Sequence, residues 1–110
     1  VFEDAVNEPV KNHVTAMKAA GASVILLSGR DGEAKGETER WLDHHGIPYD
    51  MLLMRGQGDQ RRDDVVKNEL FDNFVRDKYN VLHILDDRDQ VVKMWREMGL
   101  PCWQVDYGDF

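Results

Sequence analysis

The segment Lys18-Ala19-Ala20-Gly21-Ala22-Ser23-Val24-Ile25-Leu26-Leu27-Ser28-Gly29-Arg30 holds the pattern that decides the fold. A helical run ends on glycine, an apolar strand-like run follows over Ser23 to Leu27, and a polar triplet closes it. Glycine supplies the left-handed turn that stops a helix, and a short run of branched apolar residues reads as a strand. The same punctuation recurs at His44-His45-Gly46 before Tyr49 to Met54, and at Glu97-Met98-Gly99 before Cys102 to Val105. A fourth apolar run, Val81 to Leu85, follows a helical segment from Asp64 to about Arg76, on which Val66, Leu70 and Phe74 lie four apart on one face. Val91, Met94, Trp95 and Met98 give the last helix, near Gln90 to Met98, similar spacing. Proline in Gly46-Ile47-Pro48 and Gly99-Leu100-Pro101 cannot extend the helix it follows, which sharpens both boundaries. Strands joined by helices need crossover connections, so the expected fold is α/β with a mostly parallel sheet.

Composition narrows the functional classes. The 110 residues, 42% hydrophobic and 32% charged, suit a single soluble domain spanning residues 1–110. No run approaches the roughly 18 apolar residues of a membrane span, and Val1-Phe2-Glu3-Asp4 lacks the pattern of a signal peptide, so a cytoplasmic location is expected. The single cysteine, Cys102, offers neither an internal disulfide nor a thiolate metal site; it is expected to be buried and inert. Any metal must therefore be held by oxygen. With 21 acidic against 14 basic residues, a formal charge of -7, the chain does not read as a nonspecific nucleic-acid binder held by a basic surface. The expected loose stretches are Gly56 to Gln60 and Asp31 to Gly36.

In open parallel sheets ligands bind beyond the carboxyl ends of the strands. Those ends are polar here: Ser28-Gly29-Arg30, Arg55-Gly56 and Asp86-Asp87-Arg88. A hydroxyl and guanidinium forks grip a phosphoryl group, and paired carboxylates hold the magnesium that screens it. Lys67, read as lying in the first turn of its helix, sits where the macrodipole disfavours a cation unless an anion is nearby. Singly, each feature has a plain reading: a turn, a solvated lysine, a helix cap. Their agreement at three strand ends favours phosphoryl chemistry. His44-His45 reads as a helix end rather than a ligand pair, Trp41, Trp95 and Trp103 as core or helix-to-sheet contacts, Asp63-Asp64 as the cap of the Lys67 helix, and Gln60-Arg61-Arg62 as a solvated turn in preference to a small basic contact to a nucleic-acid strand.

Ser28-Gly29-Arg30 after an apolar strand, Lys67 opening a helix and Asp86-Asp87 after Ile84-Leu85 resemble the second, third and fourth motifs of haloacid dehalogenase phosphatases. Longer strings resemble a narrower group, the 3'-phosphatase domains of bacteriophage polynucleotide kinase-phosphatases. These are Gln57-Gly58-Asp59, Arg62-Asp63-Asp64-Val65-Val66-Lys67, Asp86-Asp87-Arg88-Asp89-Gln90-Val91-Val92, and Cys102-Trp103-Gln104-Val105 through Gly108-Asp109-Phe110. The resemblance runs from about Asp4 to Phe110 and suggests that Gly108-Asp109-Phe110 is the natural end of the chain.

It implies a Rossmann-like three-layer sandwich and a magnesium-dependent 3'-phosphatase acting on DNA or RNA ends through an aspartyl-phosphate, with a kinase domain upstream. By position, Ser28 donates to the phosphoryl oxygens, while Arg30 and Arg55 grip phosphate or backbone and Gly29 lets the main chain come close. Lys67 neutralises charge, and Asp86 and Asp87 hold magnesium or orient its waters. The rivals are a phosphatase of small phosphate esters or nucleotides and a noncatalytic phosphate-binding module. The short spans between strands leave little cap, which suits a bulky substrate.

The family's attacking aspartate lies on an Asp-x-Asp-Gly-Thr segment after a central strand, and no such segment occurs in these 110 residues. Val1-Phe2-Glu3-Asp4 lacks the preceding strand, and Asp4 reads instead as leading into the first helix. The resemblance therefore implies that the motif-bearing strand precedes Val1, which leaves two inner sheet edges open to pairing with another chain. The 110 residues alone are expected to be poorly stable, oligomeric, or completed by a strand from another chain. Light scattering and a thermal melt test this, and a monodisperse monomer with a cooperative melt would contradict it.

Overall fold

A computed structural model describes residues 6–110 of the chain, so Asp4 lies outside the described residues. The fold is α/β with parallel strands, and its contacts divide into two compact units, one running to Asp59 and the other from Gln60 to Phe110.

The first unit contains α1 (Glu8–Ala19), β1 (Ile25–Asp31), a 3-10 turn (Gly32–Ala34), α2 (Lys35–His44) and β2 (Met51–Arg55). Asn7 caps α1 by accepting from the Val10 amide at 3.2 Å, and Pro9 occupies the first turn, where a missing N–H costs nothing. Gly21, at φ 99°, closes the helix as the Ala22 amide donates back to the Met17 carbonyl at 3.0 Å. Asp50 then joins helix end to strand start: one carboxylate oxygen accepts from the Val24 amide at 2.7 Å and the other pairs with Lys18. These contacts hold the Asp50 carboxyl below its ordinary pKa of 3.8, the Lys18 bond contributing most. They also explain why both strands start two residues later than the apolar runs suggest.

β1 and β2 pair in parallel, with Ile25 opposite Met51 and Leu27 opposite Leu53. Leu42 and Leu52 are the buried apolar residues of this unit among those described, and every residue of β1 is only half-buried. A parallel strand is ordinarily covered on both faces. β1 therefore keeps apolar surface as well as an edge without a ladder among the described residues.

The second unit contains α3 (Asp63–Phe74), β3 (Ile84–Asp86), α4 (Asp89–Glu97) and β4 (Cys102–Gln104). Its core is denser. Val91, Val92 and Trp95 of α4 are buried, and the Trp95 ring meets Phe71 of α3 edge-on at 5.3 Å. Arg96 donates through Nε and Nη2 to the Cys102 carbonyl at 3.2 and 3.0 Å, tying α4 to β4.

β3 and β4 form a second parallel pair of only three rungs, Ile84 to Cys102, Leu85 to Trp103 and Asp86 to Gln104. The strand expected over Val81 to Leu85 is thus shorter and shifted towards Asp86. Pro101 precedes β4 and has no amide to extend the ladder, although its carbonyl still accepts from Ile84 at 2.8 Å. Leu82 is correspondingly exposed. Strand alternation turns Cys102 inward and Trp103 outward, so Trp103 is half-exposed and stacked on His83 at 4.3 Å rather than in the core.

Among the described residues, no helix is long and apolar enough to cross a membrane. Trp95, 2% exposed, is the largest side chain in the core of the second unit. Trp95→Ala is expected to destabilise it by about 3–5 kcal/mol, read as a lowered denaturation midpoint by circular dichroism. A change near zero would overturn this account of the core.

Candidate active site

In the first unit the pairing register slips between Ser28 and Asp31: Ser28 lies opposite Met54, and Asp31 opposite the next residue, Arg55. Gly29 and Arg30 are therefore extra residues on β1, thrown out of the ladder as a bulge. Bulges re-aim side chains at the rims of sheets. The expected strand end at Leu27 thus becomes a continuous strand through Asp31 that carries the polar triplet on its irregular part. Ser28 Oγ accepts from the Arg30 amide at 3.1 Å, which leaves the hydroxyl hydrogen to donate outward.

Arg55 braces this bulge from β2. Its Nε donates to the Gly29 carbonyl at 2.6 Å and its Nη1 to the Asp59 carbonyl at 3.2 Å. In this arrangement the guanidinium acts on the main chain of the Ser28-Gly29-Arg30 segment. Asp31 completes the bracing: its carboxylate accepts from the Glu33 amide at 2.9 Å and the Gly58 amide at 2.8 Å. Asp31 to Gly36, expected to be loose, is consequently strand end, 3-10 turn and helix start. Gly58, at φ 78°, turns the 56–60 loop so that its amide meets Asp31. At Gly32 a Cβ would lie 2.8 Å from the Arg55 carbonyl, so the close pass of the two chains requires glycine there.

In the second unit Lys67, Asp86 and Asp63 come together. Lys67 Nζ lies 3.3 Å from Asp86 Oδ2 and 3.5 Å from Asp63 Oδ2, and Arg88 Nη1 reaches Asp63 Oδ2 at 3.5 Å. The side chains of Lys67, Asp63 and Asp86 are about nine-tenths buried, so two cations and two carboxylates balance one another largely out of water. Removing one member of such a set leaves an uncompensated buried charge. Asp86 is also held by the Trp95 indole, whose Nε1 donates to Oδ2 at 3.3 Å, and by the Asp87 and Arg88 amides on Oδ1 at 2.9 and 3.4 Å. Asp87, by contrast, is exposed, and its carboxylate takes no hydrogen bond or ion pair among the described residues.

Two sequence readings change. α3 begins at Asp63, so Lys67 lies one turn in rather than in the first turn, and Asp63 and Asp86 offset its charge. Of the Asp63-Asp64 pair, Asp64 serves the helix start, its Oδ1 accepting from the Val65 amide at 2.9 Å, whereas Asp63 is the buried carboxylate shared by Lys67 and Arg88. The available signal was its i,i+4 spacing to Lys67. His44 and His45 do close α2, with the His45 amide donating to the Trp41 carbonyl at 3.1 Å. Burial and the nearby Asp86 push the Cys102 thiol above its ordinary pKa, which keeps it protonated and a poor nucleophile.

A family model described as the polynucleotide kinase PNKP phosphatase domain matches residues 1–110. The chain belongs to this family. The match covers its whole length, in agreement with the resemblance carried by the longer strings around Lys67, Asp86 and the C-terminal tail.

A protein of Autographa californica nuclear polyhedrosis virus, described as a bifunctional polynucleotide kinase/RNA ligase, is 36% identical over 81 residues, 73% of this chain and 12% of that protein. Two solved structures of the Pnkp1/Rnl/Hen1 complex, one described as an RNA repair complex, each contain a chain similar to this one. Both matches have a TM-score of 0.96 and 49% identity over 99% of this chain, and they cover 35% and 38% of the matched chains. This PNKP phosphatase domain therefore spans about a third of the length of those relatives and a smaller share of the viral one.

The Glu33 and Gly58 amides, together with the Arg55 charge, hold the Asp31 carboxyl below its ordinary pKa of 3.8. A depressed folded-state pKa contributes stability that is present above the unfolded value and lost as pH falls through the folded value. The Gly58 and Glu33 amide resonances should therefore shift together on acidification, with a midpoint below 3.8. A midpoint at or above that value would exclude the contact.

Proposed function

We propose that the protein containing this domain removes phosphate from the 3' ends of nucleic acid, with magnesium, as part of an end-healing enzyme that also carries a kinase domain. The observation that carries the reading is the contrast between the two adjacent carboxylates. Asp86 is fixed by Lys67, Trp95 and two amides, while Asp87 stands exposed and uncommitted beside it.

No cluster of three or more candidate metal-binding side chains forms among the described residues. Magnesium does not need one: it is commonly held by one or two carboxylates, its own waters and substrate phosphate. The residues present fit that pattern: Asp87 would hold the ion directly, while Asp86, its acceptor sites taken by Lys67, Trp95 and two amides, would hold in place the turn that carries Asp87. When bound, magnesium would screen the phosphoryl charge and hold the substrate in place.

The chain's own groups then divide the remaining work. The Ser28 hydroxyl, with its acceptor side occupied by the Arg30 amide, donates to a phosphoryl oxygen. Arg30, extruded by the bulge, supplies charge to the phosphate or the adjacent backbone, and Arg55 and Gly29 hold the bulge in shape. Lys67, paired with Asp63 and Asp86, offsets the charge that accumulates when an anionic substrate arrives. The family's attacking aspartate has no counterpart motif among residues 6–110. Likeness to chains of an RNA repair complex favours a polynucleotide end as substrate and association with repair partners.

The test is phosphate release from a 3'-phosphorylated oligonucleotide by the full-length protein, with and without magnesium. Release is expected only with magnesium, and Asp87→Ala and Lys67→Ala should each lower it by about a hundredfold or more, a loss of about 2.7 kcal/mol in transition-state stabilisation. Cleavage of small phosphate esters without action on oligonucleotides would replace the substrate. Inertness towards both would leave a noncatalytic phosphate-binding module.

A further inference from the structure

We infer that Gln104 is a positioning residue for the Asp87 carboxylate, acting through the main chain of the turn that follows β3; the inference rests on the phosphatase reading above. The turn 86–89 is tied down at each residue. The Asp86 carbonyl accepts from the Val105 amide at 3.1 Å, the Asp87 carbonyl from Gln104 Nε2 at 2.9 Å, and the Asp89 amide donates to the Gly108 carbonyl at 2.9 Å. The Asp87 and Arg88 amides are already held by Asp86 Oδ1. What remains uncommitted in this turn is the Asp87 side chain, while its peptide is gripped from both sides.

Gln104 is itself held for this task. Its Nε2 also donates to Asp89 Oδ1 at 2.6 Å, in the first turn of α4, so one amide group bridges the turn and the helix that leaves it. From the other side the tail packs so closely that a Cβ on the buried Gly108 would collide with the Asp87 carbonyl and the Arg88 Cα. Phe110 lies under the Arg88 guanidinium at 4.9 Å, and Arg88 leads to Asp63 and so to Lys67. A strand-end glutamine exposed to water has no need of two protein acceptors. Here it restricts the peptide from which a lone carboxylate projects, which lowers the ordering cost when that carboxylate takes up a divalent cation.

The test compares the full-length protein with Gln104→Ala and with Gln104→Met, which keeps the bulk of the side chain and lacks the donor. Both variants should raise the magnesium concentration for half-maximal phosphate release roughly tenfold, with the KM for oligonucleotide and the melting temperature close to wild type. Manganese titration, followed by paramagnetic broadening of the Asp87 amide resonance, should shift by the same factor without reference to activity. An unchanged metal requirement in both variants, or a defect in Gln104→Ala that Gln104→Met repairs, would overturn the role. If the wild-type protein shows neither metal-dependent release nor broadening, the phosphatase reading fails and the inference falls with it. Active wild type with indifferent variants removes Gln104 alone.

Discussion

The second unit is organised around the Asp86 carboxylate, a charge held almost out of water. Such a group is tolerated only when its lone pairs are met, and they are met from three elements: Lys67 of α3, the Trp95 indole of α4 and the amides that follow β3. Satisfying the charge therefore fixes the placement of both helices against the strand. The ring contact between Phe71 and Trp95 seals the same junction from its apolar side. Packing and electrostatics constrain one another here, because the side chain that fills the core also donates to the buried acid.

The first unit solves a similar problem with less apolar material. Its chemistry-bearing residues sit on a bulge, and a bulge leaves main-chain groups without ladder partners. Arg55 serves one of them, the Gly29 carbonyl, and together with Asp31 ties the bulge to the turns beside it: the guanidinium also meets the Asp59 carbonyl, and the carboxylate meets the Glu33 and Gly58 amides. Two charged side chains thus stabilise a shape that the strand alone would not adopt. The thin core, with β1 half-buried throughout, makes this bracing more consequential than it would be under a fully covered strand.

Periodicity and glycine punctuation located the four α-helices and four strands of the described residues, because those signals are local. They failed where a partner decided the outcome. β1 runs on through the bulge because β2 ends on Arg55, which pairs opposite Asp31; β3 is cut short because Pro101 limits its ladder; Trp103 points outward because Cys102 takes the inward position. Ser28, Gly29, Arg30, Arg55, Lys67, Asp86 and Asp87 could be named from their positions at strand ends and helix starts. Asp63 could not, since its i,i+4 spacing to Lys67 resembles an ordinary surface pair until burial is known.

By itself the sequence determined the α/β alternation, the family and the set of candidate side chains, since each depends on residue order within short windows. The tertiary structure alone decided what each of them touches. In it Arg55 donates to the Gly29 carbonyl, Lys67 lies against two carboxylates, and Asp86 is buried and bonded while Asp87 is exposed. Those distinctions depend on which groups are withdrawn from water and which acceptors face them. Burial and partner geometry arise from contacts between residues far apart in the chain, so no local reading of the order of residues contains them.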